Sequence, residues 1–285
     1  MTAARRAAVL GSPIAHSLSP VLHRAAYDAL GLRDWTYDAV EITPATLGGF
    51  LDGLGPEWAG LSLTMPLKQA VIPLLDAVSA GAREVGAVNT VVLRDGRREG
   101  TNTDVPGFVA ALRERGVTAC AAPVVLGAGA TAGSALAALA ALGTRTATVV
   151  ARRPSAAGPV CEVGARVGLD VEVVEWAVPG PALDAVRSAD LVVATTPAGA
   201  ADGLAAALAG GGAAPGGVLF DVVYAPWPTR LGAVWSSYGL MVLSGLDLLV
   251  HQAALQVPAF TGLDLDPAAL VVPMRAAGLQ ALAAR

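Results

Sequence analysis

The sequence predicts an α/β protein with parallel sheets, organised as about two domains. Three observations carry this. Short β-like runs alternate with Ala/Leu-rich helical segments along the chain. Its 285 residues suit two domains of roughly 150 residues each. The apolar run PVVL (123–126) leads directly into a Gly-rich turn and then a long Ala/Leu segment, the strand–turn–helix order of an α/β unit.

In the first third, AAVLG (7–11), WTYDAVEI (35–42) and GLSLT (60–64) read as strands. Helices are expected over about 19–30 and 44–53, the second opened by Thr43 as N-cap and Pro44 in the first turn. In NTVVLRDGRREGTNTD, Asp95-Gly96 supplies a hairpin turn between two short strands. The second unit begins near Pro123, with TAGSALAALAAL as its first helix and TATVVARR as the next strand. DVEVVEW (170–176), DLVVATTP (190–197) and GVLFDVVY (217–224) continue that sheet, and Gly210-Gly211-Gly212 reads as a loop. From about Gly245 the chain turns helical again. Because the second unit already has its strands, this tail is expected to return to the first, giving domains of 1–105 completed by 245–285, and 106–244.

Composition removes several classes of function. Apolar residues make up 54% of the chain, but much of this is alanine and unbroken apolar runs reach only about eight residues. A membrane span needs roughly 20. The opening MTAARRAAVLGSPIAHS lacks the longer apolar core of a signal peptide. Two cysteines, Cys120 and Cys161, are too few for a disulfide framework and read as free cytosolic thiols. A net charge of −4 without basic runs gives a nucleic-acid backbone nothing to bind, and three His and two Cys without ligand spacing argue against a metal. The expectation is a soluble cytoplasmic protein, without membrane or nucleic-acid partners. Residue scarcity is more informative. Lys68 is the only lysine, Asn89 and Asn102 are the only asparagines, and all three fall within 35 positions.

The Gly-rich turn, Gly127-Ala-Gly129-Ala130-Thr131-Ala132, has the form G-x-G-x-x-G/A. Gly127 permits the tight turn, and Gly129 lets the backbone approach a pyrophosphate stabilised at the helix N-terminus. After the next strand, a site for NAD normally carries an acid for the ribose 2′-hydroxyl. No acid occurs between Arg115 and Cys161; Arg152 and Arg153 stand at that strand end instead. Two guanidiniums suit the 2′-phosphate of NADP.

A second group of motifs lies ahead of that turn. Ser17 and Ser19 follow the first strand beside Pro20, placed either to cap the next helix or to bind a carboxylate. The run Gly60-Leu-Ser-Leu-Thr64-Met-Pro66-Leu-Lys68 ends a strand and brings in the lone lysine within one turn. Gly86-Ala-Val-Asn89-Thr90 and Gly100-Thr-Asn102-Thr-Asp104 follow. One ammonium, two amides and one carboxylate near strand ends suit a polyol, because a missing hydroxyl would leave buried polar groups unpaired. A turn followed by a helix cap is the bland alternative for Asn102 and Asp104.

Together, GSPIAHSLSP, the T-x-P-x-K run, GAVNT, the G-x-N-T-D run, the GAGATAG loop, DVVYAPWPT and the terminal GLDLLVHQA resemble shikimate dehydrogenases. They occur in order from residue 11 to residue 253, so the resemblance covers nearly the whole chain. It implies two α/β domains around a cleft, an N-terminal substrate domain and a Rossmann-type NADP-binding domain, with the C-terminal helices returning to the first. It also implies NADPH-dependent reduction of 3-dehydroshikimate to shikimate in aromatic amino-acid biosynthesis, by a monomer or a homodimer. Ser17 and Ser19 would bind the substrate carboxylate with Tyr224 assisting, while Thr64, Asn89, Asp104 and Gln252 would contact ring hydroxyls. Lys68 and Asp104 would form the catalytic pair. Gly127, Gly129, Ala130, Thr131, Ala132 and Thr195 would line the nucleotide, and Arg152 with Arg153 would select the 2′-phosphate. Oxidation of the alcohol is expected to improve at alkaline pH, where Lys68 can accept the proton.

The chain departs from the family at three positions. Ser62 stands where the family commonly has Asn, Ala151 where the 2′-phosphate motif often begins with Asn, and His251 precedes Gln252 where Gly is usual. Alternatives are a quinate/shikimate or aminoshikimate dehydrogenase of the same superfamily and, more distantly, a non-catalytic NADP-sensing regulator.

Overall fold

The computed structural model describes residues 4–285. The chain divides into two compact units, one comprising the chain up to Gly107 together with Leu249–Arg285, the other Phe108–Leu248.

In the first unit the chain runs β1 (Arg5–Gly11), α1 (Ser19–Ala29), β2 (Trp35–Glu41), α2 (Pro44–Asp52) and β3 (Trp58–Leu63). It continues through α3 (Leu67–Ala70), β4 (Ala77–Val78), α4 (Ala80–Val85), β5 (Thr90–Arg94), β6 (Arg97–Thr101) and α5 (Asp104–Glu114), the last crossing into the second unit after Gly107. The strands form one mixed sheet in the order β2-β1-β3-β5-β6-β4. β1 is parallel to both β2 and β3, whereas β5 is antiparallel to β3 and to β6. The β5–β6 turn is Asp95-Gly96, both at positive φ (52° and 73°), the left-handed pair that such a hairpin requires. At α2, the Thr43 N–H donates to Thr46 Oγ1 at 3.1 Å, tying down the first turn opened by Pro44. β3 is buried along its whole length, and Leu10, Leu47, Leu61, Leu67 and Val91 fill the core beside it.

The second unit alternates strand and helix: β7 (Pro123–Leu126), α6 (Ala130–Ala141), β8 (Thr146–Ala151), α7 (Gly158–Arg166), β9 (Asp170–Glu175) and α8 (Pro181–Ser188). It then adds β10 (Leu191–Ala194), α9 (Asp202–Ala209), β11 (Val218–Asp221), α10 (Arg230–Ser237) and β12 (Val242–Leu243). All strand pairs are parallel, in the order β12-β11-β10-β7-β8-β9. Reversed and renumbered within the unit, this is the 3-2-1-4-5-6 order of a doubly wound dinucleotide-binding sheet. Strand order changes direction between β7 and β10, and there the crevice for a ligand opens at the strand C-termini.

The chain closes with α11 (Gly245–Thr261) and α12 (Ala268–Ala283). From Leu249 onward both belong to the first unit, where α12 packs on α1 and Phe260 of α11 lies over Gly60 of β3. Among the described residues, no helix is long and apolar enough to cross a membrane.

Candidate active site

The C-terminal ends of β1 and β3 are stitched together by backbone hydrogen bonds. Thr64 N–H donates to Leu10 O at 3.0 Å, and Ser12 N–H to Met65 O at 3.1 Å. Thr64 O then accepts from Leu67 N–H, starting the short helix α3 that carries Lys68. Lys68 Nζ donates to Asp104 Oδ2 at 2.6 Å, and both side chains are mostly buried (14% and 7% exposed). Asp104 occupies the first position of α5, where a carboxylate is favoured by the helix dipole.

Asn89, just ahead of β5, donates from Nδ2 to the other oxygen of Asp104 at 2.8 Å and more weakly to Gln252 Oε1 at 3.3 Å. Its own Oδ1 accepts from Thr103 N–H at 2.7 Å and from Thr90 Oγ1 at 2.8 Å. Gln252 comes from α11, and Gly107 lets it approach: a Cβ on Gly107 would lie 3.0 Å from Gln252 N and Cβ. Strand ends, α5 and α11 thus bring Lys68, Asp104, Asn89 and Gln252 into one hydrogen-bonded cluster. An ammonium–carboxylate pair flanked by two amides can move a proton at one oxygen and hold a neighbouring hydroxyl.

Other sequence candidates take different places. Ser17, half-buried in the loop after β1, accepts the Ser19 N–H at 3.3 Å, and Ser19 is the buried first residue of α1. Thr64 is half-buried between Leu63 and α3. Asn102 has the helix-capping role: its Oδ1 accepts Val105 N–H at 3.1 Å while Nδ2 donates to Ala87 O. Tyr224 follows β11 in the second unit and is half-buried. Sequence reading passed over Thr103 and Gln256. Gln256 was detectable as a second amide four residues after Gln252, among the apolar residues Ala253–Leu255 and Val257.

In the second unit, Gly127 (φ 110°) makes the turn after β7, and a side chain there would collide with Thr195 Oγ1 at 2.7 Å. Thr195 follows β10 across the switch point, and its hydroxyl donates to Leu126 O at 2.8 Å. Gly129 precedes α6, and a Cβ on it would meet only open space. The Ala130, Thr131 and Ala132 N–H groups precede the first i→i−4 bond of α6 and have no helical acceptor, although the Ala132 side chain itself is buried. No acid sits in that first turn. Arg152 and Arg153 are exposed directly after β8, the strand beside β7. Open backbone at a helix N-terminus with two guanidiniums on the neighbouring strand end fits a dinucleotide bearing a 2′-phosphate. Asp221, at the end of β11, accepts from Thr229 Oγ1 at 2.7 Å and Val223 N–H at 3.1 Å. Burial raises its carboxyl above the ordinary value, against the opposing effect of those two hydrogen bonds.

Comparison with known proteins gives a consistent result. Residues 9–91 match the shikimate dehydrogenase substrate binding domain. The NADP(+) shikimate dehydrogenase of Oleidesulfovibrio alaskensis is 41% identical over 263 residues, covering 90% of each chain. The crystal structure of Mycobacterium tuberculosis shikimate dehydrogenase superposes with a TM-score of 0.85 at 44% identity, over 95% of this chain and 99% of that one. Shikimate 5-dehydrogenase from Thermus thermophilus, solved with NADP(H) and shikimate, gives 0.77 at 36% identity over 96% and 99%. With these identities sustained over nearly the full length of both partners, the chain belongs to the shikimate dehydrogenase family.

Proposed function

We propose that this protein catalyses the reversible, NADP-dependent reduction of 3-dehydroshikimate to shikimate. The observation that carries the reading is the Lys68–Asp104 ion pair, with Asn89 on the second carboxylate oxygen, in a chain of this family. When bound, NADPH would supply the hydride for reduction, and NADP+ would accept it in the reverse direction. Lys68 faces the ketone oxygen, stabilises the negative charge that develops there and donates its proton. In oxidation the neutral amine takes that proton back. Asp104 holds the ammonium in place and accepts the adjacent hydroxyl of the substrate, while Asn89 and Gln252 read further ring hydroxyls. Ser17 and Ser19 take the carboxylate, with Thr64 lining the ring.

On the nucleotide side, Gly127, Gly129 and the N–H groups of Ala130, Thr131 and Ala132 hold the pyrophosphate. Thr195 closes the turn from the neighbouring strand. Arg152 and Arg153 bind the 2′-phosphate. The experiment is the initial rate of NADP+ reduction by purified protein with shikimate and quinate in parallel, and with NAD+ as the competing cofactor. Turnover confined to shikimate and NADP+ supports the reading. Equal turnover of quinate moves the protein to the broader-specificity branch of the family, and no turnover with any pair overturns the enzymatic reading.

A further inference from the structure

Behind the catalytic cluster a line of buried polar side chains runs through the core of the first unit. Tyr37 Oη donates to Ser62 Oγ at 2.6 Å, and Ser62 Oγ donates to Gln256 Oε1 at 2.7 Å. Gln256 Nε2 donates to Thr90 Oγ1 at 2.8 Å, and Thr90 Oγ1 donates to Asn89 Oδ1 at 2.8 Å. Asn89 Nδ2 then reaches Asp104, the partner of Lys68. Every member between Tyr37 and Asp104 is at least nine-tenths buried, so none of these bonds can be exchanged for water without opening the core.

The line has one permitted polarity. An ionised Asp104 only accepts, so Asn89 must present its NH2 and turn its carbonyl inward. That carbonyl accepts from the Thr103 N–H and from the Thr90 hydroxyl, whose oxygen in turn accepts from the Gln256 amide. Gln256 is thereby oriented with its oxygen toward Ser62, whose hydrogen it accepts, and Ser62 accepts in turn from Tyr37. Burial holds the Tyr37 phenol well above its usual range, so the head of the line remains a donor across the working pH range. Gln252 and Gln256 lie four residues apart on one face of α11, one in the cluster and the other in the line behind it.

The geometry points to Gln256 as a positioning residue for the reaction: through Thr90, and together with the Thr103 N–H, it holds the Asn89 amide in one orientation, and through Asn89 it holds the Asp104 carboxylate. This rests on the functional reading above. Ser62 takes part as the hydroxyl that sets the orientation of Gln256.

The test uses the full-length protein labelled with 15N in asparagine side chains. Only Asn89 and Asn102 contribute, so the spectrum holds two amide pairs. Gln256→Leu is expected to displace or broaden the Asn89 pair, leaving the Asn102 pair, hydrogen-bonded to Ala87 O, in place. In the same variant, kcat for shikimate oxidation is expected to fall about tenfold, the equivalent of one buried hydrogen bond, while KM for NADP+ is unchanged. Should Gln256→Leu fail to fold, the pair Thr90→Val and Thr90→Ser serves: Val reproduces the loss, and Ser, which keeps the hydroxyl, restores kcat. A lower melting temperature with an unmoved Asn89 signal and unchanged kcat would reduce Gln256 to a packing residue and overturn the proposal. An unmodified protein that lacks turnover but whose Asn89 signal still responds to Gln256→Leu would overturn the functional reading and its catalytic consequence, while the orientation of Asn89 by Gln256 would stand.

Discussion

At the scale of single residues, the carboxylate of Asp104 has two separate duties, one oxygen to Lys68 and the other to Asn89. Asp104→Asn keeps the shape, removes the charge and puts an amide where both neighbours need an acceptor. Its kcat is expected to fall by about 10²- to 10⁴-fold, the range for a lost acid–base partner, with NADP+ affinity nearly unchanged. A kcat within a factor of three of the parent in stopped-flow or steady-state assays would remove Asp104 from the mechanism. Arg152 is the residue proposed above to choose the cofactor. Arg152→Ala is expected to raise KM for NADP+ by roughly 10- to 100-fold, as for a lost charge-assisted hydrogen bond of about 1.5–3 kcal/mol, and to leave KM for NAD+ near its starting value. Equal effects on both cofactors would place the 2′-phosphate elsewhere. Lys68 and Asp104 were legible in the sequence because lysine is used once and the acid sits in a recognisable run. Gln256 was not. Its partners Ser62 and Thr90 are 194 and 166 positions away, and no local spacing encodes a hydrogen bond that only the fold brings together.

At the scale of elements, the site depends on how closely α5 and α11 approach. Gly107 makes the contact with the backbone of Gln252, so Gly107→Ala must push α11 outward by a few tenths of an ångström. The expected result is a several-fold rise in KM for shikimate, read from steady-state kinetics, with α5 gaining helix propensity of up to about 1 kcal/mol from the same change. An unchanged KM would show that α11 yields without cost. The strands of both sheets, except the two-residue β4 and β12, were readable from short runs bounded by turn residues, and α6 from its Gly-rich entry. Helices α7 to α10 were not separately resolved. In a segment such as DGLAAALA, glycine and alanine leave little contrast between faces, and its helicity comes from packing on the sheet. β4 has two residues and exists only because β6 is there to pair with it.

At the scale of the molecule, stability in acid is tied to one buried ring. His23 stacks on Tyr37 with centroids 3.8 Å apart, and its Nδ1 lies 2.9 Å from Ser19 O, an arrangement that needs a proton on Nδ1. Burial lowers its pKa from 6.5 to about 4, while the hydrogen bonds to Ser19 and Gln256 act in the opposite direction. The ionisable groups around it are the Tyr27 and Tyr37 phenols, both raised by burial and therefore neutral. A depressed pKa in the folded state means that the unfolded chain binds the extra proton. Stability contributed by neutral His23 is full above pH 6.5 and is lost as pH falls through 4, to a total of about 3 kcal/mol. Urea unfolding from pH 7 to pH 4 measures it, and His23→Phe is expected to flatten the slope; a slope unaltered by that change would assign the acid sensitivity to other groups. The return of Leu249–Arg285 to the first unit has a consequence for biosynthesis. Domains fold as they leave the ribosome, the earliest first. Here the first-made unit must wait for α11 and α12, with the second unit translated in between, so Gln252 and Gln256 reach Asn89 only after Phe108–Leu248 has been made. The unit with the Gly-rich turn is thus whole before the unit that holds Lys68 and Asp104.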